Sequence, residues 1–121
     1  MIHSGSSKKL PATFWRTERG NEPVREWLRD LDKDDRRIVG ADIKTVEYGW
    51  PIGMPTCRPM GDGLYEVRSD LSKGRIARVL FCITADRLVL LHAFIKKTQQ
   101  TPNSEMKIAK ERKRKLKDGE Q

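Results

Sequence analysis

Apolar positions change their spacing along this chain, and each change marks an element. Val24, Trp27, Leu28 and Leu31 recur at helical intervals behind Asn21-Glu22-Pro23, a capping asparagine with a proline preset in the first turn. A second helical stripe is formed by Val39, Ile43, Val46 and Trp50, with Ile38 beside it. It follows an acidic run in which Asp34 or Asp35 can cap, and Gly49-Trp50-Pro51 ends it. So short a connection predicts two antiparallel helices. Before them, Leu10 to Arg16 is a short strand candidate, and residues 1–10 read as a flexible leader.

After a Gly- and Pro-rich loop from Pro51 to Gly63, the period becomes two. Leu64 to Ser69, Arg75 to Thr84 and Leu88 to Lys96 are predicted strands, separated by Ser72-Lys73-Gly74 and Ala85-Asp86-Arg87 turns. Turns this short imply an antiparallel meander. Thr101-Pro102 then opens a last helix through Lys117, closed by Gly119 and followed by a tail at 118–121. Its stripe (Met106, Ala109, Leu116) is thin, which makes it the least securely docked element. The expected fold is a single α+β domain over 11–117. A helical hairpin lies on one face of a small antiparallel sheet, and the opposite face stays partly open and polar.

Charge sharpens this picture. The 121 residues carry 25 Lys and Arg against 17 Asp and Glu, a formal +8. Residues 1–50 hold ten basic and nine acidic side chains, so nearly all of the surplus falls on the predicted strands and last helix. Such a field predicts an acidic partner, and a phosphate-binding face is one source of it. A solvated helix face is the plainer source of a basic run. The longest apolar run, Val79 to Ile83, is far below the roughly 20 residues that cross a bilayer, so no membrane partner and a cytoplasmic location are expected. Cys57 and Cys82 have neither disulfide-framework nor metal-ligand spacing. With no Gly-rich phosphate loop or nucleophile elbow either, no cofactor or metal is expected.

Alternation places Leu64, Glu66 and Arg68 on one face of their strand and Tyr65 and Val67 on the other. Ala77, Val79, Phe81 and Ile83 form an apolar face from which Arg78 points away. Arg68, Arg78 and Glu66 should therefore meet on the open face, within reach of Lys96-Lys97 at the adjoining strand end. A cross-strand Arg–Glu ion pair on a solvated face accounts for them equally well. His92, inside the most apolar strand, is either a general acid or base or a hydrogen-bonded core histidine, the commoner role. Tyr65 can pack or stack on a base. A basic open face suits RNA cleavage in which the ribose 2′-hydroxyl attacks its own phosphate. Arginine grips phosphate oxygens through its planar fork, and a lysine crowded by cations can move a proton.

Gly63-Leu64-Tyr65-Glu66-Val67-Arg68, Arg78-Val79-Leu80-Phe81 and Leu91-His92-Ala93-Phe94-Ile95-Lys96-Lys97-Thr98-Gln99-Gln100-Thr101-Pro102 together resemble the RelE/ParE toxin superfamily, nearest its phage-derived HigB-like branch. The resemblance covers about residues 10–116. It implies a toxin of a type II toxin–antitoxin pair that cleaves mRNA on the ribosome. The implied partners are the ribosome with its mRNA and a HigA-like helix-turn-helix antitoxin, through which alone operator DNA is bound. It places Arg78 at a phosphate-binding position, Arg68 on a basic position of the preceding strand, and Lys96 and Lys97 where charge develops. Glu66 and His92 are the further catalytic candidates, and Tyr65, Lys73, Arg75, Lys107 and Lys110 the candidate RNA contacts. Two departures stand out: Glu66 occupies a position that is basic in RelE, and Ser104-Glu105-Met106-Lys107 lacks the catalytic tyrosine found there. A ParE-like gyrase inhibitor, or an inert relative acting only in repression, are the alternatives.

Overall fold

The computed structural model of the protein describes residues 9–53 and 55–119. Strand β1 (Ala12–Phe14) leads into helices α1 (Pro23–Asp30) and α2 (Lys33–Gly49), then β2 (Cys57–Gly61) and β3 (Leu64–Asp70). A 3-10 turn (Ser72–Gly74) joins β3 to β4 (Ile76–Thr84), and β5 (Arg87–Lys96) and helix α3 (Asn103–Gly119) complete the chain. The strands form one sheet in the order β1-β5-β4-β3-β2. Strands β2 to β5 are an antiparallel meander, while β1 runs parallel to β5 at the edge. The fold is thus α+β, with a mixed sheet of five strands rather than the purely antiparallel one expected.

Both N-terminal helices pack on one face. Val24 of α1 and Val39, Ile43 and Val46 of α2 share a core with Val67, Ala77, Val79, Phe81, Leu88 and Leu90. Helix starts follow local chemistry, though not at the residues expected. Asp32, not Asp34 or Asp35, caps α2 by accepting the Asp35 amide at 2.9 Å. The Asp35 carboxylate is thereby left for a bidentate bond from Arg75 at 2.8 and 3.1 Å. Glu22 precedes α1 without capping it, its side chain accepting from Arg25 at 3.1 Å, and Asn21 donates its backbone amide to Thr17 Oγ1 at 3.1 Å.

The opposite face is not open. Helix α3 covers it, burying Trp15, Leu64, Leu80, Cys82, Val89, Leu91, Phe94, Ala109 and Leu116 in a second core. Nor is α3 loosely docked, because its thin apolar stripe is reinforced by polar anchors. Arg112 donates to Leu91 O at 2.7 Å, and its guanidinium lies 4.9 Å from the Trp15 ring. The segment expected to be an irregular loop contains β2, whose Arg58 and Pro59 pair with Glu66 and Tyr65. Pro59 lacks an amide and is tolerated because β2 is an edge. The expected leader falls largely outside the described residues. Its last two, Lys9 and Leu10, donate their amides to Glu47 O at 2.9 and 3.1 Å. Of the expected tail, 118–119 continue α3 and 120–121 lie outside the described residues.

Candidate functional site

The face beneath α3 is apolar at one end and charged at the other, because strand register alternates by two. Paired residues project to the same side of a sheet. Register pairs Arg58 with Glu66, Glu66 with Leu80, and Leu80 with His92. The neighbouring row runs from Arg68 to Arg78 to Phe94. An irregularity of register at Leu80/Phe81 lets both Leu91 and His92 meet the α3 side.

Arg78 and Glu66 have no solvent exposure at all. The Arg78 fork is spent on the connection between β5 and α3. Nη1 donates to Gln100 O at 2.7 Å and to Thr101 Oγ1 at 3.4 Å, and Nη2 donates to Thr98 O. Arg68 Nη2 donates to the intervening carbonyl, Gln99 O, at 2.9 Å. Thr101 Oγ1 in turn donates to Glu66 Oε2, while Glu66 Oε1 makes no hydrogen bond and lies 3.5 Å from Arg68 Nε. Burial pushes the Arg78 pKa below its ordinary value, and the Arg68 cation beside it adds to the shift.

His92 stacks on Phe94 with ring centroids 5.8 Å apart and is hydrogen-bonded through Nε2 to Glu105 Oε1 at 2.6 Å. Lys96 Nζ approaches the other carboxylate oxygen at 3.7 Å. Burial lowers the His92 pKa from 6.5 and outweighs the opposing pull of Glu105, so the imidazole is neutral at neutral pH. A neutral ring donating from Nε2 carries its lone pair on Nδ1.

The remaining predicted residues are dispersed. Lys97 is exposed just past the end of β5. Tyr65 lies on the α1/α2 side, edge-on to Trp50 at 5.0 Å and stacked with Phe81 at 5.5 Å. Arg75 is held by Asp35, whose pKa it lowers mainly through their hydrogen bonds. Lys73 occupies a left-handed turn position with φ of 62°. Lys107 and Lys110 are exposed on α3, and Lys110 reaches Asp62 at 3.2 Å. Cys57 and Cys82 are buried and neither is part of a disulfide. Among the described residues, no three His, Cys, Asp or Glu side chains are grouped as metal ligands, and no helix is long and apolar enough to cross a membrane.

Arg58, Thr101 and Glu105 belong to the constellation although sequence reasoning did not select them. Arg58 was hidden by the prolines around it. A capping-type threonine before Pro102 gave Thr101 a sufficient local explanation, and Glu105 was noted only where a tyrosine was lacking.

No curated protein matches the chain. Residues 26–114 match the model for the phage-derived protein Gp49-like (DUF891). That span covers most of the chain, from α1 to the penultimate turns of α3 and including every charged group of the α3-side constellation. The chain belongs to this Gp49-like phage-derived family, a family of toxin–antitoxin toxins of the RelE/HigB kind.

Proposed function

We propose that this protein is the toxin of a type II toxin–antitoxin pair and acts as an endoribonuclease on mRNA held by the ribosome. The observation that carries the reading is the concentration of cations and proton-carrying groups at one end of the α3-side face. Arg58 and Arg68 flank Glu66, and Lys96 adjoins the His92–Glu105 pair. Lys97 is exposed next to Lys96, and Arg78 lies behind them in the interior. In-line attack of a 2′-oxygen on the adjacent phosphate breaks the P–O5′ bond and leaves a 2′,3′-cyclic phosphate and a 5′-hydroxyl. Neutral His92 is suited to take the 2′-hydroxyl proton at Nδ1, because burial keeps it unprotonated and Glu105 fixes its tautomer. Arg68, Lys96 and Lys97 then offset the charge on the phosphorane, and a lysine ammonium protonates the leaving 5′-oxygen. The exposed lysines of α3, including Lys107 and Lys110, add a sequence-independent grip on RNA. In the cell the proposed partners are the ribosome with its mRNA and a helix-turn-helix antitoxin that carries operator binding.

The test is to induce the chain without an antitoxin and map RNA ends. Cuts within translated messages, lost on Arg68→Ala and His92→Gln, are expected. Intact messages accompanied by DNA breaks would sink the nuclease reading and point to a gyrase-directed toxin.

A further inference from the structure

Three consecutive carbonyls, those of Thr98, Gln99 and Gln100, each accept from a guanidinium of β3 or β4. A surface connection that turns three carbonyls inward onto two arginines is tied down far more tightly than its exposure suggests. Thr98, Gln99 and Gln100 are themselves exposed, yet Arg78 beneath them is wholly buried. Thr98 Oγ1 adds a bond to Gln100 O at 2.9 Å within the same segment. The Thr101 hydroxyl joins the halves of this network, accepting from Arg78 and donating to Glu66. Glu66 supplies the countercharge that two neighbouring arginines need in the interior, and it has no exposed surface with which to meet a substrate.

We propose that Arg78, Thr101 and Glu66 are positioning residues: they hold the Lys96–Gln100 segment so that its lysines face RNA, and Arg78 does not itself contact phosphate. The physical reason is occupancy and access. The Nη1 and Nη2 donors already serve two carbonyls and a hydroxyl. Although Nε–H has no partner it is buried, so a guanidinium with no exposed surface gives a phosphate no way to reach it. The same fork is well matched to fixing a short connection, since its planar geometry orients two acceptors at once. Lys96 leaves β5 as this segment begins, so the carbonyl clamp sets the direction in which Lys96 and Lys97 emerge.

The kinetic part of this inference rests on the nuclease reading, and the structural part does not. The test compares Thr101→Val, Thr101→Ser and Arg78→Lys in the full chain, using cleavage of ribosome-bound mRNA and tryptic cutting after Lys97 followed by fragment mass. Thr101→Val loses the bridging hydroxyl at nearly constant volume. Its maximal cleavage rate is expected to fall about tenfold with KM little changed, and tryptic cutting to accelerate by a similar factor. Thr101→Ser restores both. Arg78→Lys keeps the charge but loses the fork, and is expected to behave like Thr101→Val. The proposal is overturned if Thr101→Val matches the wild type in both readouts, or if Arg78→Lys keeps its rate and protease resistance. Should Arg78→Lys fail to fold, the threonine pair decides alone. A wild-type chain that cuts no message defeats the nuclease reading, and proteolysis then decides the positioning.

Discussion

The two faces of β4 solve the same burial problem by different chemistry. Toward α1 and α2, Ala77, Val79 and Phe81 bury apolar surface against valines and isoleucine, and the fit is one of volume. Toward α3, Arg78 is buried just as completely, but its neighbours are Arg68 across the strand pair and acceptors from the β5–α3 connection. Apolar contacts are individually small and degrade gradually, whereas a buried ionic network fails as a unit when one member is removed. The charged face is the costlier one to bury, and the proposed chemistry is located there.

The largest expected effects lie at paired positions on the two faces. Phe81→Ala should cost about 3–5 kcal/mol in denaturant unfolding, through lost burial and the cavity left beside Tyr65 and Trp50. Arg78→Met should cost a comparable ~3–5 kcal/mol although it keeps apolar contact, because buried Glu66 loses one of its two neighbouring cations and the Thr98 and Gln100 carbonyls lose their guanidinium donor. The contrast sharpens in double variants. Glu66→Gln combined with Arg78→Met should cost at least about 1 kcal/mol less than the separate losses added together. Pairing Phe81→Ala with a distant core truncation such as Val24→Ala should be nearly additive. Additivity at both faces would show that the ionic cluster is no cooperative unit.

A smaller effect is expected from acid. The folded chain holds the His92 pKa below 6.5, so the unfolded chain binds the proton more readily. Stability contributed by His92 is therefore present above about pH 6.5 and lost as pH falls below it. Thermal melts at stepped pH should show this decline in the wild type and a flatter profile in His92→Gln. A wild type that gains stability on acidification through that window would mean that Glu105, not burial, governs the ring. The smallest stability effect belongs to the exposed lysines of α3. Lys107→Ala should change stability by no more than about 0.5 kcal/mol. It should also reduce the salt dependence of RNA affinity by about one phosphate contact.

Much of this arrangement was legible in the chain because strand alternation is strict. The separation of Tyr65 and Val67 from Glu66 and Arg68, and of Arg78 from Val79 and Phe81, follows from a period of two and holds in the sheet. Three features were not legible, each for a physical reason. Strand β2 was obscured because Pro59 and the glycines at 61 and 63 are turn and edge residues whose strand role depends on a partner. The docking of α3 was underestimated because two of its anchors, Glu105 and Arg112, are charged and add nothing to an apolar stripe. The burial of Arg78 was invisible because alternation says which way a side chain points, not what covers it.

The sequence by itself determined the order of the helices and of every strand but β2, the faces of the central strands, and the concentration of positive charge in the second half. These depend on neighbours a few residues apart, where backbone geometry and periodicity suffice. Only the tertiary structure decided that α3 closes the second face, that β1 runs parallel beside β5, and that Glu66, Arg68, Arg78 and Thr101 form one network. That network joins Glu66 to Thr101 across 35 positions of the chain. Contacts of that separation are selected by the combined packing of the sheet and helices, which no local pattern encodes.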